Sequence, residues 1–270
     1  MVRYEYITLT TDYGLNDEFA GVCHGVIAQI APGARVIDIT HGIEPFDVRG
    51  GGLTLVRAIQ YMPAGVHVAI VDPGVGTDRR AIAVEAGPSV MVGPDNGILS
   101  PAVAMLGGAT RCVELTNEDY QLPRAGGQTF AGRDLFVPAA AQIALGTPLE
   151  EFGDEVDPHT LVPMLVPLCS VDAKSVAGEI LWIDRFGNAQ LNISPGELEM
   201  LGASVGEQVE VEIEGAAIGA AFSNTYADHE DGVILLIVDS YGMLSLSVNR
   251  GRASDILGLR SATKVRLKTG

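Results

Sequence analysis

The stretch Ile7-Thr8-Leu9-Thr10-Thr11-Asp12-Tyr13-Gly14 decides the fold. Its β-branched and apolar residues read as a short buried strand over Ile7 to Thr11, broken at Asp12-Tyr13-Gly14. A helix is predicted next, from Asp17 to Ile30. Phe19, Val22, Cys23, Val26 and Ile30 recur at helical spacing, with Asn16 or Asp17 available as the cap and Pro32-Gly33 as the stop. A second strand follows at Arg35 to Thr40, a helix at about Gly51 to Tyr61, and an apolar strand at Val66 to Val71. This strand–helix–strand alternation predicts an α/β layer with a mostly parallel sheet between helices.

Further along, Ala81 to Val84 and Val90 to Val92 read as short strands around a turn at Gly87-Pro88, and Arg133 to Leu145 as a helix with an alanine-rich packing face. The texture then changes. Pro158, Pro163 and Pro167 punctuate an expected linker, and beyond Ser175 short strands dominate. They are expected at Val176 to Asp184, Asn188 to Ile193, Gln208 to Ile213, Val233 to Val238, Met243 to Val248 and Thr263 to Leu267. Val209 to Ile213 alternates cleanly, so one face is buried and the other wet. The expected organisation is an α/β domain over residues 1–165 and an all-β, barrel-like domain over 174–270.

Composition narrows the function classes. The chain has 270 residues, 47% hydrophobic, with a formal net charge of -17 and no basic run. Duplex nucleic acid and anionic membrane surfaces both call for clustered cations, so neither is an expected partner. Cys23, Cys112 and Cys169 are odd in number and form no C-x-x-C pair, which argues against disulfide scaffolding and against a zinc site. The first residues carry no apolar signal core, and a reduced cytoplasm is the expected location. Histidines 24, 41, 67, 159 and 229 are scattered without metal-ligand spacing and read as structural or surface residues.

Several turns carry residues capable of chemistry. Asp12 ends a strand, where open α/β sheets bind ligands; its carboxylate can accept hydrogen bonds from a vicinal diol, or simply form a turn. Asp72-Pro73-Gly74-Val75-Gly76-Thr77 also follows a strand, and Arg79 lies where it can fold back on Asp72. Such a pair can orient a water and stabilise developing charge, although Asp-Pro-Gly turns are common without any such role. Gly93-Pro94-Asp95-Asn96-Gly97 says loop. Thr129-Phe130-Ala131-Gly132-Arg133-Asp134 enters a helix, and its glycine permits close backbone approach. Asp184-Arg185-Phe186-Gly187-Asn188 joins two strands; its asparagine can match an adenine edge, or the segment is a plain hairpin turn. Asp239-Ser240-Tyr241-Gly242 is a similar turn.

Together and in this order, these motifs resemble the S-adenosylmethionine hydroxide adenosyltransferase family, itself similar to the enzymes that attack the same substrate with fluoride or chloride. Thr11-Asp12-Tyr13-Gly14, Ile39-Thr40-His41-Gly42, Pro45-Phe46-Asp47-Val48-Arg49, Asp72 to Thr77, Gly93 to Gly97 and Phe186-Gly187-Asn188 carry the resemblance across nearly the whole chain. It implies an α/β N-terminal and a β-barrel C-terminal domain. It also implies a homotrimer with each active site between one subunit's N-domain and its neighbour's C-domain. By this carry-over Asp12 holds the ribose hydroxyls, Phe46 lines the pocket, and Phe130 with Gly132 borders the reacting carbon. Asp184 and Ser240, with Tyr241 among the substrate-binding residues, serve the methionine end; Asn188, with backbone near Val248 and Arg250, reads adenine.

Asp72 and Arg79 look like two of the family's three water-activating residues, so the implied reaction is hydrolysis of S-adenosylmethionine at its ribose 5′ carbon to adenosine and methionine. The halide-using relatives carry a tyrosine where this chain has Asp72, and a carboxylate repels halide, which disfavours a halogenase. One position departs from the pattern: the hydrolases usually read Thr-Phe-His-Gly-Arg-Asp, and Ala131 occupies the histidine slot. Loss of a positioned acid or base is worth about 10²–10⁴-fold in rate, so impaired turnover is expected. A non-catalytic binder of S-adenosylmethionine or adenosine is the alternative, and a purely structural assembly protein a more distant one. No metal and no organic cofactor is implied.

Overall fold

The computed structural model describes residues 4–123 and 126–269. They form two compact units, divided between Leu165 and Val166. Residues 1 and 270, the outer limits of the domains expected above, lie outside the described residues.

The first unit runs β1 (Tyr6–Thr11), α1 (Phe19–Ile30), β2 (Arg35–Thr40), α2 (Val48–Ile59), β3 (Val66–Ile70), β4 (Ala81–Ala86), β5 (Ser89–Pro94), α3 (Ser100–Met105), β6 (Ala109–Glu114) and α4 (Val137–Leu145). Its six strands form one sheet in the order β2-β1-β3-β5-β4-β6. The first four are parallel, while β4 runs antiparallel to both β5 and β6. Central strand β3 is buried along its whole length, as continuous apolar strands covered on both faces are. One face packs Ile7, Leu9, Val68 and Ile70 against Cys23 and Ile27 of α1 and Ala140 and Ile143 of α4. The other packs Ala69, Ile82 and Met91 against Leu55 and Ile59 of α2 and Ala102 of α3.

Several local features differ from the sequence reading, which lacks α3, β6 and the strand Ala216–Ser223 and starts α2 near Gly51 rather than at Val48. Helix α1 starts at Phe19, with Glu18 in the cap position and no side-chain cap, so neither Asn16 nor Asp17 performs that role. Its amphipathic contact with the sheet, not a cap, holds it in place. The helix expected over Arg133 to Leu145 opens as a π-helical segment, Gly132–Phe136, before α4 proper. Such wide turns interrupt helices mainly where function demands it. The proline-punctuated stretch is not a free linker at its start. Arg80 donates to the Thr160 carbonyl at 2.7 Å and to Asp95 at 2.9 Å, and the other Asp95 oxygen accepts from the Val162 amide at 2.8 Å.

The second unit runs β7 (Ser170–Val171), β8 (Ser175–Ile183), β9 (Ala189–Leu191), α5 (Pro195–Glu199), β10 (Gln208–Ile213), β11 (Ala216–Ser223), β12 (Ile234–Val238), β13 (Leu244–Val248), α6 (Ala253–Ile256) and β14 (Lys264–Thr269). The order β14-β10-β11-β12-β13-β9-β8 is closed by pairing of β14 with β8, so seven strands make a barrel and β7 extends β8 outside it. Closure removes the sheet edges. Among the described residues of this unit, β11 and β12 form the one parallel pair. Val176, Ile180, Val209, Val211, Leu236, Leu246 and Leu267 fill the interior, and the alternation foreseen at β10 places Val209, Val211 and Ile213 inside.

Candidate functional site

Asp12 and Asp72 follow neighbouring parallel strands. Thr11 of β1 is paired with Ile70 of β3, so the residues just beyond both strands emerge at the same carboxyl edge of the sheet. That edge is where open α/β sheets present ligand-binding groups. Asp12 Oδ2 accepts the Phe46 amide at 3.0 Å. This bond bridges 34 positions of sequence and accompanies an unusual backbone: Phe46 has φ 70°, and the residue is 72% exposed. A bulky residue held left-handed costs on the order of 1–3 kcal/mol. Together with the exposed aromatic ring, this strain marks a presented surface rather than a packing position.

Asp72 is locked by Arg79. Nε donates to both carboxylate oxygens at 3.0 Å and Nη2 to Oδ2 at 2.6 Å. The side chains are only 6% and 17% exposed. The guanidinium also lies 5.3 Å from the Phe136 ring centroid. Tight hydrogen bonds at Val75 and Thr77 turn the intervening segment back to bring Arg79 home. Each carboxylate oxygen has two acceptor sites, so Asp72 keeps capacity for one more donor, such as a water.

Ala131 stands beside this pair. A cavity of about 120 Å³ is lined by Thr77, Arg79, Gln128, Ala131, Asp134 and Leu135. The place where the resemblance expects an imidazole therefore opens toward the Arg79 side chain, with polar groups around it. Asp134 itself is held by its neighbour Arg133, Nε to Oδ1 at 2.5 Å.

In the sequence Tyr13 is only one position of the Thr11-Asp12-Tyr13-Gly14 motif, with no role of its own. The structure gives it one. Its ring meets Phe19 and Phe130, which contact each other edge-on at 4.8 Å between centroids. Its hydroxyl accepts the Gly132 amide. Burial pushes its pKa well up, reinforced by the charges of Cys23, Asp12 and Asp72, against the lowering effect of the Gly132 hydrogen bond. Gly132 must be glycine for this approach, since a Cβ there would overlap the tyrosine oxygen. One tyrosine thus ties the Asp12 turn to the Ala131–Gly132 turn.

In the second unit, Asp184, Asn188, Ser240 and Tyr241 line a single cavity of about 570 Å³, together with Trp182 and Tyr226. The 184–188 turn consumes much of its own polarity. Asp184 Oδ1 accepts the Phe186 and Asn188 amides at 2.8 Å, and Oδ2 accepts Asn188 Nδ2 at 2.8 Å. The hairpin reading of this segment therefore holds locally even though its residues face the cavity. Asp239 Oδ1 likewise accepts the Tyr241 amide at 2.8 Å, positioning Ser240 and Tyr241 at the rim. Val248 and Arg250 do not line this cavity: Val248 is 2% exposed in β13, and Arg250, at φ 52°, reaches Asp231 at 3.4 Å.

Sequence reasoning also missed a cluster. His24, Asp38 and His41 are brought together, with potential ligand atoms all within 4.8 Å of one another. Their sequence offsets match no metal motif, because α1, β2 and the turn after β2 meet only in the folded unit.

Among the described residues no helix is long and apolar enough to cross a membrane. Residues 7–153 match the SAM hydroxide adenosyltransferase N-terminal domain and residues 178–266 the corresponding C-terminal domain. The chain is 47% identical over 270 residues, covering 100% of both, to a protein of Salinispora tropica named (R)-S-adenosyl-L-methionine hydrolase. It is 38% identical over 265 residues, covering 95% of this chain and 97% of the other, to a protein of the same name from Thermus thermophilus. A fluorinase of Actinopolyspora mzabensis is more distant, at 26% over 289 residues and 97% and 96% coverage. The crystal structure of an uncharacterised conserved protein from Thermotoga maritima superposes with a TM-score of 0.88 at 34% identity, over 97% of this chain and 100% of that one. The two-unit fold, the matches to both family domains and this full-length similarity agree: the chain belongs to the SAM hydroxide adenosyltransferase family.

Proposed function

We propose that the chain hydrolyses S-adenosyl-L-methionine at the ribose 5′ carbon, giving adenosine and L-methionine. The observation that carries this reading is the forked Arg79–Asp72 pair, held nearly out of solvent at the carboxyl edge of the sheet. In this reading Asp72 accepts a hydrogen from a water and aims its oxygen at the carbon. The new C–O bond forms as the C–S bond breaks, the bonding pair leaves with sulfur, and the sulfonium becomes neutral methionine. The water's proton passes to Asp72 and on to solvent. Because the leaving group is neutral, in-line placement matters more than acid assistance to departure. Asp12 takes the ribose hydroxyls, Phe46, Phe130 and Gly132 border the reacting end, and, in the between-subunit arrangement that the resemblance implies, Asp184, Asn188, Ser240 and Tyr241 of a neighbouring subunit receive the remainder of the substrate. No cofactor takes part in this scheme.

Ala131 supports a second reading. With no imidazole beside Arg79, the protein either turns over slowly or retains S-adenosylmethionine without cleaving it. A homotrimer, as the family resemblance implies, and a cytoplasmic location, in keeping with three unpaired cysteines, belong to the same proposal; mass in solution by light scattering tests the former.

The deciding experiment incubates S-adenosylmethionine with the protein and with Ala131→His, and follows adenosine and methionine by chromatography. Hydrolysis by the parent, accelerated in the variant, supports the proposal. Binding by both without product from either replaces it with the binding reading.

A further inference from the structure

His24 lies on α1, Asp38 on β2 and His41 just past the end of β2. His24 Nε2 is 2.8 Å from Asp38 Oδ1, and His41 Nε2 is 3.1 Å from the same oxygen. From this geometry we infer that His24, Asp38 and His41 form a binding site for a divalent transition-metal ion, with Zn²⁺ the best match to two imidazoles and one carboxylate.

Four observations carry the inference. The donor set is that of borderline ions: imidazole nitrogen with a carboxylate oxygen suits zinc and its neighbours, whereas all-oxygen sites suit magnesium or calcium. The spacing around Asp38 Oδ1 fits as well. Zinc–ligand bonds of about 2.0–2.1 Å in a tetrahedron set ligand atoms about 3.3 Å apart, so the two histidine nitrogens need to draw back from Asp38 Oδ1 by only a few tenths of an ångström.

The third observation is the state of His41. Its side chain is 3% exposed, yet its Nε2 makes no hydrogen bond, despite standing 3.1 Å from a carboxylate oxygen. A buried nitrogen without a partner is costly, and one aimed at an anion is a cation's position as much as a proton's. Its other nitrogen, Nδ1, is 2.8 Å from Thr11 Oγ1. Donation from Nδ1–H to that hydroxyl oxygen leaves the Nε2 lone pair facing Asp38, the arrangement by which outer partners prepare a ligating imidazole.

Access is the fourth. His24 and Asp38 are 39% and 42% exposed, so an ion reaches the site from solvent and water completes its coordination. The chain's net charge of -17 favours arrival of a cation.

The site adjoins the substrate-binding edge without joining it. Thr11 immediately precedes Asp12, and the Gly14 amide donates to the His41 carbonyl at 2.7 Å. An ion here clamps α1 and the end of β2 against the turn that carries Asp12. Its role is to order that turn, with no step of the hydrolysis assigned to it.

The test uses the full chain after treatment with a chelator. Zn²⁺ is titrated calorimetrically, and Co²⁺ is used in parallel for its visible ligand-field bands. The inference expects one ion per subunit, tetrahedral-type Co²⁺ absorption displaced by Zn²⁺, and a raised thermal midpoint. His24→Gln keeps a hydrogen bond to Asp38 but no imidazole, and Asp38→Asn removes the charge. Each is expected to weaken Zn²⁺ at least about tenfold and abolish the thermal shift. Both positions are well exposed, and the thermal midpoint of each variant in chelator verifies its fold. The site is refuted by absence of saturable binding at millimolar Zn²⁺, or by His24→Gln and Asp38→Asn binding as the parent does. Neither result bears on the hydrolysis, which is read without added metal.

Discussion

Arg79 grips both carboxylate oxygens of Asp72, with its shortest bond 2.6 Å from Nη2 to Oδ2, and Arg79 itself lines the cavity beside Ala131. This geometry makes Asp72 a rigid acceptor rather than a mobile surface acid. Asp72→Asn is therefore expected to reduce adenosine formation by about 10²–10⁴-fold while changing the dissociation constant for S-adenosylmethionine little. Arg79→Lys keeps the charge but not the planar fork, and is expected to fall most of the way with it. Single-turnover rates and equilibrium binding, measured side by side, check both outcomes.

The cavity beside Ala131 yields a second prediction. Ala131→His is expected to raise the hydrolysis rate by about 10²–10⁴-fold, the usual worth of a positioned acid or base. Added imidazole is expected to accelerate the parent protein in a saturable manner and to leave Ala131→His unaffected, because the cavity is then filled. Product formation against imidazole concentration measures this, and an equal response from both proteins would show that free imidazole acts from bulk solvent.

Gly132 and Tyr13 are coupled sterically. Gly132→Ala places a methyl group on the tyrosine hydroxyl, and overpacking of this kind costs about 1–3 kcal/mol. Tyr13→Phe in the same chain is expected to return part of that loss, although it leaves the Gly132 amide without its acceptor. A double-mutant cycle on urea midpoints reads the coupling, and additive losses would contradict it.

His67 sets a pH dependence of stability. It is 1% exposed, between Thr8 Oγ1 at 3.0 Å and Ser89 Oγ at 3.2 Å. Burial lowers its pKa from 6.5 to about 4. The folded protein therefore binds this proton more weakly than the unfolded chain does. The stability that goes with the neutral ring is fully present above pH 6.5 and is lost as pH falls toward 4, by about 3 kcal/mol in all. Urea unfolding at pH 7 and pH 4.5 is expected to show a smaller acid loss for His67→Gln than for the parent.

Much of the fold is legible in the chain's periodicity. β2 and β10 occupy the predicted residues, Arg35–Thr40 and Gln208–Ile213, because a short segment rich in β-branched residues and a clean apolar–polar alternation each identify a strand locally. β11 escapes the same reading. Ala216-Ala217-Ile218-Gly219-Ala220-Ala221 is small and weakly strand-forming, and only its pairing with β10 and β12 makes it a strand. The turn motifs are legible as motifs, yet their roles divide in the structure. Asp95 anchors Arg80 and the Val162 amide, whereas Asp72, in an equally ordinary-looking turn, is gripped by the Arg79 fork.

What the sequence determined by itself is the set of local, periodic and compositional facts: where most strands and helices run, that an α/β part precedes an all-β part, and that acidic turns follow two strands. Only the tertiary structure decided which distant groups meet. Closure of the barrel by β14 on β8, the bond from the Phe46 amide to Asp12, the seat of Tyr13 on Gly132 and the convergence of His24, Asp38 and His41 all depend on contacts between remote segments. Such contacts are selected by the packing of whole layers against one another, and no window of neighbouring residues encodes them.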